Sequence, residues 1–234
     1  MSKYIVLGID QGLASCGYGI LQFERQGYTL KFDKVLKYGV IKTKSDREMG
    51  DRLEYLKISI EGLIEKYNPS LISCERLFVS SPQEKATGRR NKSASIVTTN
   101  MATAIIYLIS SEKNIKLLDF VPSSIKKEIT GSGRATKEEM MKAVPKLMNL
   151  EDNVIKIEHQ ADALAIGYTA AMRIDLKMLE EEQQKKLKEL KKAEEKKLEK
   201  ERKKAEKEQK EKEKQARKLE RERKKQEKEA QKIK

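Results

Sequence analysis

The chain has 234 residues, with 51 lysines and arginines against 37 aspartates and glutamates, and a formal charge of +14. Residues 177–234 carry 25 of the basic and 16 of the acidic side chains, so residues 1–176 have ordinary globular composition and enough length for a packed core. No run approaches the ~20 apolar residues of a membrane helix, the N-terminus lacks the apolar stretch and small-residue site of a signal peptide, and Cys16 and Cys74 form no CxxC pair or disulfide framework. The expectation is a reduced, cytoplasmic protein.

Residues 4–9, Tyr-Ile-Val-Leu-Gly-Ile, are an apolar run too short for a helix and rich in β-branched side chains, which predicts a buried strand ending at the Asp10-Gln11-Gly12 turn. Cys16–Phe23 and Tyr28–Ile41 predict two more strands, joined as an antiparallel hairpin through Arg25-Gln26-Gly27. Ser45 or Asp46 can cap a helix that runs to about Tyr67, with Leu53, Leu56, Ile60 and Leu63/Ile64 at helical spacing and Asn68-Pro69 as its stop. Leu71–Glu75 is a further short strand that ends in a carboxylate. Ser80–Lys92 reads as a polar, basic loop. Helices are then expected over about Ala94–Ser110, Val121–Thr130, Thr136–Met148 and His159–Met172, with a strand at Ile115–Phe120. The order predicts an α/β fold, a mixed five-stranded sheet flanked by helices.

Residues 177–234 form a Lys/Glu-rich low-complexity tail, set apart from the domain over residues 1–176. Glutamate precedes lysine or arginine by four residues seven times, beginning at Glu181 and ending at Glu220, and each pair supports a helix. The apolar stripe, from Leu187 through Leu198 to Ala230, is thin and half alanine. A solvated helix or partly disordered arm is expected rather than a coiled coil.

Two features carry chemistry. Asp10 and Glu75 each end an apolar strand, where open α/β sheets present their functional crevice. They converge only if their strands are neighbours. Singly, either is also what an exposed strand-end acid or a cap partner looks like. The second feature is Glu158-His159-Gln160-Ala161-Asp162, in which the chain's one histidine and an aspartate three residues on share a helix face. Three carboxylates with an imidazole match a two-metal phosphodiesterase, because hard oxygen ligands suit Mg²⁺ or Mn²⁺.

The order of these motifs resembles the RuvC family of Holliday-junction resolvases, in the RNase H-like superfamily. The resemblance spans about residues 3–172. It is carried by the opening strand through Gly-Ile-Asp10-Gln-Gly, by Cys74-Glu75-Arg76-Leu77-Phe78, by Lys126, by Thr130-Gly-Ser-Gly-Arg-Ala-Thr-Lys137 and by His159-Gln-Ala-Asp162-Ala-Leu-Ala. It implies Asp10, Glu75, His159 and Asp162 as catalytic residues and metal ligands for two Mg²⁺ ions, with Mn²⁺ able to substitute. His159 would either ligate a metal or help to activate the water. Lys126 and Lys137 would assist catalysis at the phosphate, and Phe78 would handle bases at the junction centre. The basic loop, with Lys85, Arg89, Arg90 and Lys92, suits contact with the DNA backbone. Gln11 stands where the family usually has proline, which predicts a softer turn beside Asp10. The charged tail has no counterpart in the family.

The resemblance therefore implies a homodimeric, metal-dependent endonuclease that resolves four-way DNA junctions by paired nicks. A broad debranching enzyme of phage type that cuts Y-forks and flaps is the nearest alternative. A non-catalytic DNA-binding scaffold has no need of three convergent acids. An ATPase of the actin/hexokinase type would need a second glycine-rich phosphate loop, which the sequence lacks. The sequence does not identify a partner helicase.

Overall fold

A computed structural model of the chain describes residues 2–76, 92–151 and 154–181, and within the tail 184–185, 187–189, 191–192 and 194–202. Alternation of apolar residues along the first segment places β1 at Ser2–Asp10, followed by β2 at Ser15–Gln26 and β3 at Thr29–Lys42. β2 pairs antiparallel with β1 and with β3. The chain then crosses through helix α1 (Met49–Tyr67) to β4 (Leu71–Glu75), and through α2 (Lys92–Glu112) to β5 (Lys116–Phe120). β4 lies parallel to β1 and to β5, so the five-stranded sheet has the order β3-β2-β1-β4-β5 and is mixed, as expected. Three helices follow: α3 (Pro122–Thr130), α4 (Lys137–Leu147) and α5 (Glu158–Arg173).

Helix starts differ from the expectation where a side chain has another use. α1 begins at Met49, after both Ser45 and Asp46. Thr43 is still tied to the β1–β2 connection, its N–H donating to Ala14 O and its hydroxyl to Leu13 O, and Arg47 N–H closes a turn on Lys44 O before the helix can start. α3 has no side-chain cap, and Pro122 occupies the first helical position, where the missing N–H costs no bond. α4 starts at Lys137 behind a capping box, with Thr136, the expected first residue of the helix, as its N-cap. Thr136 accepts from Glu139 N–H, and the Glu139 carboxylate accepts from Thr136 N–H.

The period of two along a strand assigns its residues to opposite sheet faces. Leu7, Ile9, Ile72 and Cys74 pack with Leu56, Ile60 and Ile64 of α1 and Ala102, Ile106 and Ile109 of α2 in the main core. Gly8, Asp10, Ser73 and Glu75 therefore face the other way, toward α5. Ser73 reaches Ile166 O of that helix at 3.4 Å.

α5 lies against the sheet at backbone distance, and glycines make that possible. A Cβ on Gly8 would stand 2.1 Å from Ala163 O, and one on Gly17 would stand 2.0 Å from His159 O. The chain divides into two units, Met1–Asp175 and Leu176–Lys234. The second is helical at its described positions through Arg202, and Leu187 and Leu198 are exposed. No helix among the described residues is long and apolar enough to cross a membrane.

The Gly17 contact gives a direct test. Gly17→Ala is expected to push the first turn of α5 off the sheet and to lower stability by about 1–3 kcal/mol, the usual cost of overpacking. Thermal melting of the two proteins checks it, and an unchanged midpoint would mean that the helix can shift at no cost.

Candidate active site

The β1–β4 ladder ends with Ile9 opposite Cys74, so the next residues, Asp10 and Glu75, leave neighbouring parallel strands side by side. Both face α5, which starts at Glu158 and so carries His159 and Asp162 in its first two turns. Four of the residues singled out from the sequence thus meet at one end of the sheet. His159 Nδ1 lies 2.6 Å from Asp10 Oδ2, and the carboxylate accepts a hydrogen bond from the ring N–H. This bond holds the imidazole above its usual pKa.

The carboxyls interact through poorly solvated space. Burial pushes Glu75 up to about 7, and Asp10 and Asp162 add repulsion while the Lys126 ammonium opposes it. Burial likewise pushes Asp162 up to about 6, with Asp10 and Glu158 adding to the shift and His159 and Lys137 opposing it. Like charges brought together behind low-dielectric walls retain protons, because an ionised set has little water to spread its charge into.

Lys126 and Lys137 line the same cleft as Glu75, Glu158 and Asp162, with Ile125, Met140 and Ile166 forming its apolar wall. Lys126 Nζ donates to Ala135 O at 2.7 Å, and Lys137 Nζ pairs with Glu158 Oε1 at 2.6 Å. Each ammonium is therefore held at the rim by a neighbouring oxygen. Sequence reasoning quotes Glu158 within its motif and gives it no role. The signal is its position immediately before His159, at the first turn of a helix.

Gln11 departs from the expectation of a softer turn. Its side-chain amide makes two bonds to the main chain of Glu75, Nε2 donating to Glu75 O at 2.9 Å and Oε1 accepting from Glu75 N–H at 3.0 Å. The side chain is buried. Leaving such buried backbone groups unpaired costs about 1–3 kcal/mol each, so the turn beside Asp10 is tied down. Phe78, Lys85, Arg89 and Arg90 lie outside the described residues. Lys92 opens α2, but its side chain also lies outside them.

The donor chemistry fits a hard divalent cation. Three carboxylates and one imidazole converge, and burial together with the neighbouring acids raises Glu75 and Asp162, a charge imbalance that a bound cation would offset. Among the described residues, no three His, Cys, Asp or Glu side chains already stand close enough to hold an ion between them.

Comparison with known proteins bears on the whole arrangement. The crossover junction endodeoxyribonuclease RuvC family matches residues 6–170. The RuvC of Halothermothrix orenii is 32% identical over 163 residues, which cover 70% of this chain and 89% of that protein. The RuvC of Caldicellulosiruptor saccharolyticus is 31% identical over 178 residues, covering 76% and 98%. Among solved structures, Thermus thermophilus RuvC is similar with a TM-score of 0.59 at 26% identity, over 72% of this chain and 93% of that one. The same enzyme in complex with a Holliday junction gives 0.60 at 22% identity, over the same shares of the two chains, a likeness of fold alone. Sheet order, strand-end carboxylates and sequence agree, and the chain belongs to the RuvC family of crossover junction endodeoxyribonucleases.

Proposed function

We propose that the chain is a metal-dependent, structure-selective endonuclease that resolves four-way DNA junctions, and that Asp10, Glu75, His159 and Asp162 are its catalytic set. The observation that carries this reading is the meeting of the two strand-end carboxylates with His159 and Asp162 at one end of the sheet. Their oxygen and imidazole donors would hold two Mg²⁺ ions, with Mn²⁺ as a substitute. When bound, the ions would supply Lewis-acid activation of a water and charge stabilisation at the leaving 3′ oxygen.

The chain's own residues do the rest. Asp10 orients His159 through the Nδ1 bond and keeps it ready to hold a proton. Lys126 and Lys137 stand at the cleft rim, where an ammonium can exchange its present oxygen partner for a phosphate oxygen. Ile125, Met140 and Ile166 keep water from one wall. The basic residues Lys85, Arg89, Arg90 and Lys92 serve the backbone of branched DNA, and Phe78 a base at the crossover. The tail adds sequence-independent attraction to DNA. The two cysteines are free and buried, which fits a reducing, cytoplasmic setting.

A four-way junction has near-twofold symmetry and two strands to cut, which calls for a twofold protein. α2 supports that reading. One face of the helix joins the core through Ala102, Ile106 and Ile109, and the opposite side exposes Val97, Met101 and Leu108. These three sit at a,d-like spacing, and a helix with apolar residues on both faces is normally covered on both. A second copy, laying its own α2 on this stripe, is the self-complementary cover.

Asp10→Asn is expected to abolish cleavage of a synthetic junction in Mg²⁺ while junction binding in EDTA stays within about twofold, since phosphate contacts dominate affinity. Loss of binding together with cleavage would remove Asp10 from a purely catalytic role. Comparable cutting of a Y-fork by the wild-type chain would favour the debranching alternative. Binding without cutting in either metal would leave only a scaffold.

Replacing Leu108 and Met101 by glutamate is expected to convert a dimeric mass in solution to a monomeric one and to turn paired nicks into single nicks. Light scattering coupled to size exclusion decides this, and a dimer that survives both charges would rule out the α2 stripe as its interface.

The raised carboxyls also set a pH dependence. Glu75 moves from 4.5 to about 7 and Asp162 from 3.8 to about 6 on folding, so between about pH 4 and pH 7 the folded chain binds more protons than the unfolded one. Stability supplied by these protons is present at low pH and lost as pH rises through the folded values. The raised His159 acts in the same direction. In EDTA the wild-type chain is expected to lose on the order of 2 kcal/mol between pH 5 and pH 8, or roughly 4–8 °C, relative to a Glu75→Gln/Asp162→Asn variant. Mg²⁺ should restore the wild type at pH 8 and leave the double variant unchanged. Identical pH profiles for the two proteins would mean that neither burial nor the neighbouring charges raise these acids.

A further inference from the structure

β1 and β4 run parallel, and their pairing stops at Ile9 and Cys74. One residue further on, Glu75 still has a main-chain N–H and C=O to satisfy on this side. Its other neighbour, β5, is served by the next residue, whose N–H donates to Phe120 O at 3.0 Å. β1 itself ends at Asp10, one residue past the last paired position. The Gln11 amide takes up the two Glu75 groups, with bonds of 2.9 and 3.0 Å, and at 8% exposure the pair is shielded from water.

We propose that Gln11 is a positioning residue of the cleavage reaction: its side-chain amide stands in for the missing rung between β1 and β4 and so fixes the Glu75 carboxylate against that of Asp10. The inference rests on the nuclease reading above. Gln11 is joined covalently to Asp10 and grips the main chain of Glu75 through both polar groups. One side chain therefore couples the backbones that carry two of the acids. Only a primary amide of this length offers a donor and an acceptor side by side, as a neighbouring strand would. Glutamate keeps the acceptor and sets a second oxygen against Glu75 O. Asparagine is one methylene too short to keep both bonds, and methionine matches the length with no polar group. Proline, which the family usually has here, has no side-chain donor or acceptor, so this clamp belongs to the glutamine.

Positioning matters because the rate of a two-centre reaction is steep in the placement of its groups, and a displacement of about 1 Å costs on the order of 100-fold. A residue that holds a carboxylate without touching substrate should therefore change turnover more than binding.

The experiment compares wild-type, Gln11→Met and Gln11→Asn full-length chains on a synthetic four-way junction in Mg²⁺. It adds junction affinity in EDTA, thermal melting, and amide hydrogen exchange at Glu75 followed by NMR. Gln11→Met is expected to lower kcat by between about 10- and 100-fold with KM and EDTA affinity within about twofold. The Glu75 amide should exchange at least about tenfold faster, because its acceptor is gone. Gln11→Asn should resemble Gln11→Met, since it cannot keep both bonds. Circular dichroism and a cooperative melt establish that each variant is folded at the assay temperature. An activity within twofold of wild type for folded Gln11→Met overturns the positioning role, as does unchanged exchange at Glu75. A loss of kcat matched by an equal loss of junction affinity also overturns it, since a general structural defect moves both. Failure of the wild-type chain to cut any branched DNA overturns the nuclease reading and the positioning role with it, whereas wild-type cutting beside an unaffected variant overturns the positioning role alone.

Discussion

The site depends on how closely helix α5 approaches the sheet. Its backbone sits over Gly8 and Gly17 at a distance no other residue would permit, with a hypothetical Cβ only 2.0–2.1 Å from helix carbonyls. That contact brings the first two turns of α5 over the ends of β1 and β4. It delivers His159 to Asp10 and Asp162 to the neighbourhood of Glu75. A helix packed on side chains would stand at the usual ~10 Å from the sheet and leave its carboxylate out of range. Ser73, opposite Gly8 in the β1–β4 register, adds a hydroxyl contact to Ile166 O and keeps the helix from sliding along the strands.

The parts of this arrangement that follow local rules are legible in the sequence. Asp10 and Glu75 announce themselves by ending apolar runs, and His159 and Asp162 by sharing a helix face. The strands follow in the same way from short apolar runs bounded by turns, and the helix that Thr136 begins from its place after a flexible glycine turn. What sequence reasoning misses depends on contacts between distant segments. Gln11 reads locally as a departure from a turn pattern, and its pairing with Glu75 spans 64 positions. Glu158 reads as an ordinary helix-start acid until α4 brings the Lys137 ammonium to it. The late start of α1 has the same origin. Thr43 is bound to Leu13 and Ala14, and no local propensity of Ser45 or Asp46 reports that.

Electrostatics then explain why the same end of the sheet is costly to build and useful once built. The first 176 residues carry 26 basic and 21 acidic side chains, a net of +5, yet the cleft gathers its acids and partly shields them from water. Its two lysines offset Glu75 and Asp162 only at a distance, because Lys126 is engaged by Ala135 O and Lys137 by Glu158. Protons take up part of that imbalance, so any cation bound there would compete with them. The Lys137–Glu158 pair is exposed at both ends, and exposed pairs contribute little, roughly 0–1 kcal/mol. A phosphate bearing a full charge and several acceptor oxygens can therefore displace Glu158 at small cost. Lys126 is the more deeply set of the two and lies close enough to Glu75 to oppose its shift, so its charge acts on the catalytic set before any substrate arrives. The two cations thus differ in kind: Lys126 acts on the buried acids, whereas Lys137 sits in an exposed pair that a competing anion can open.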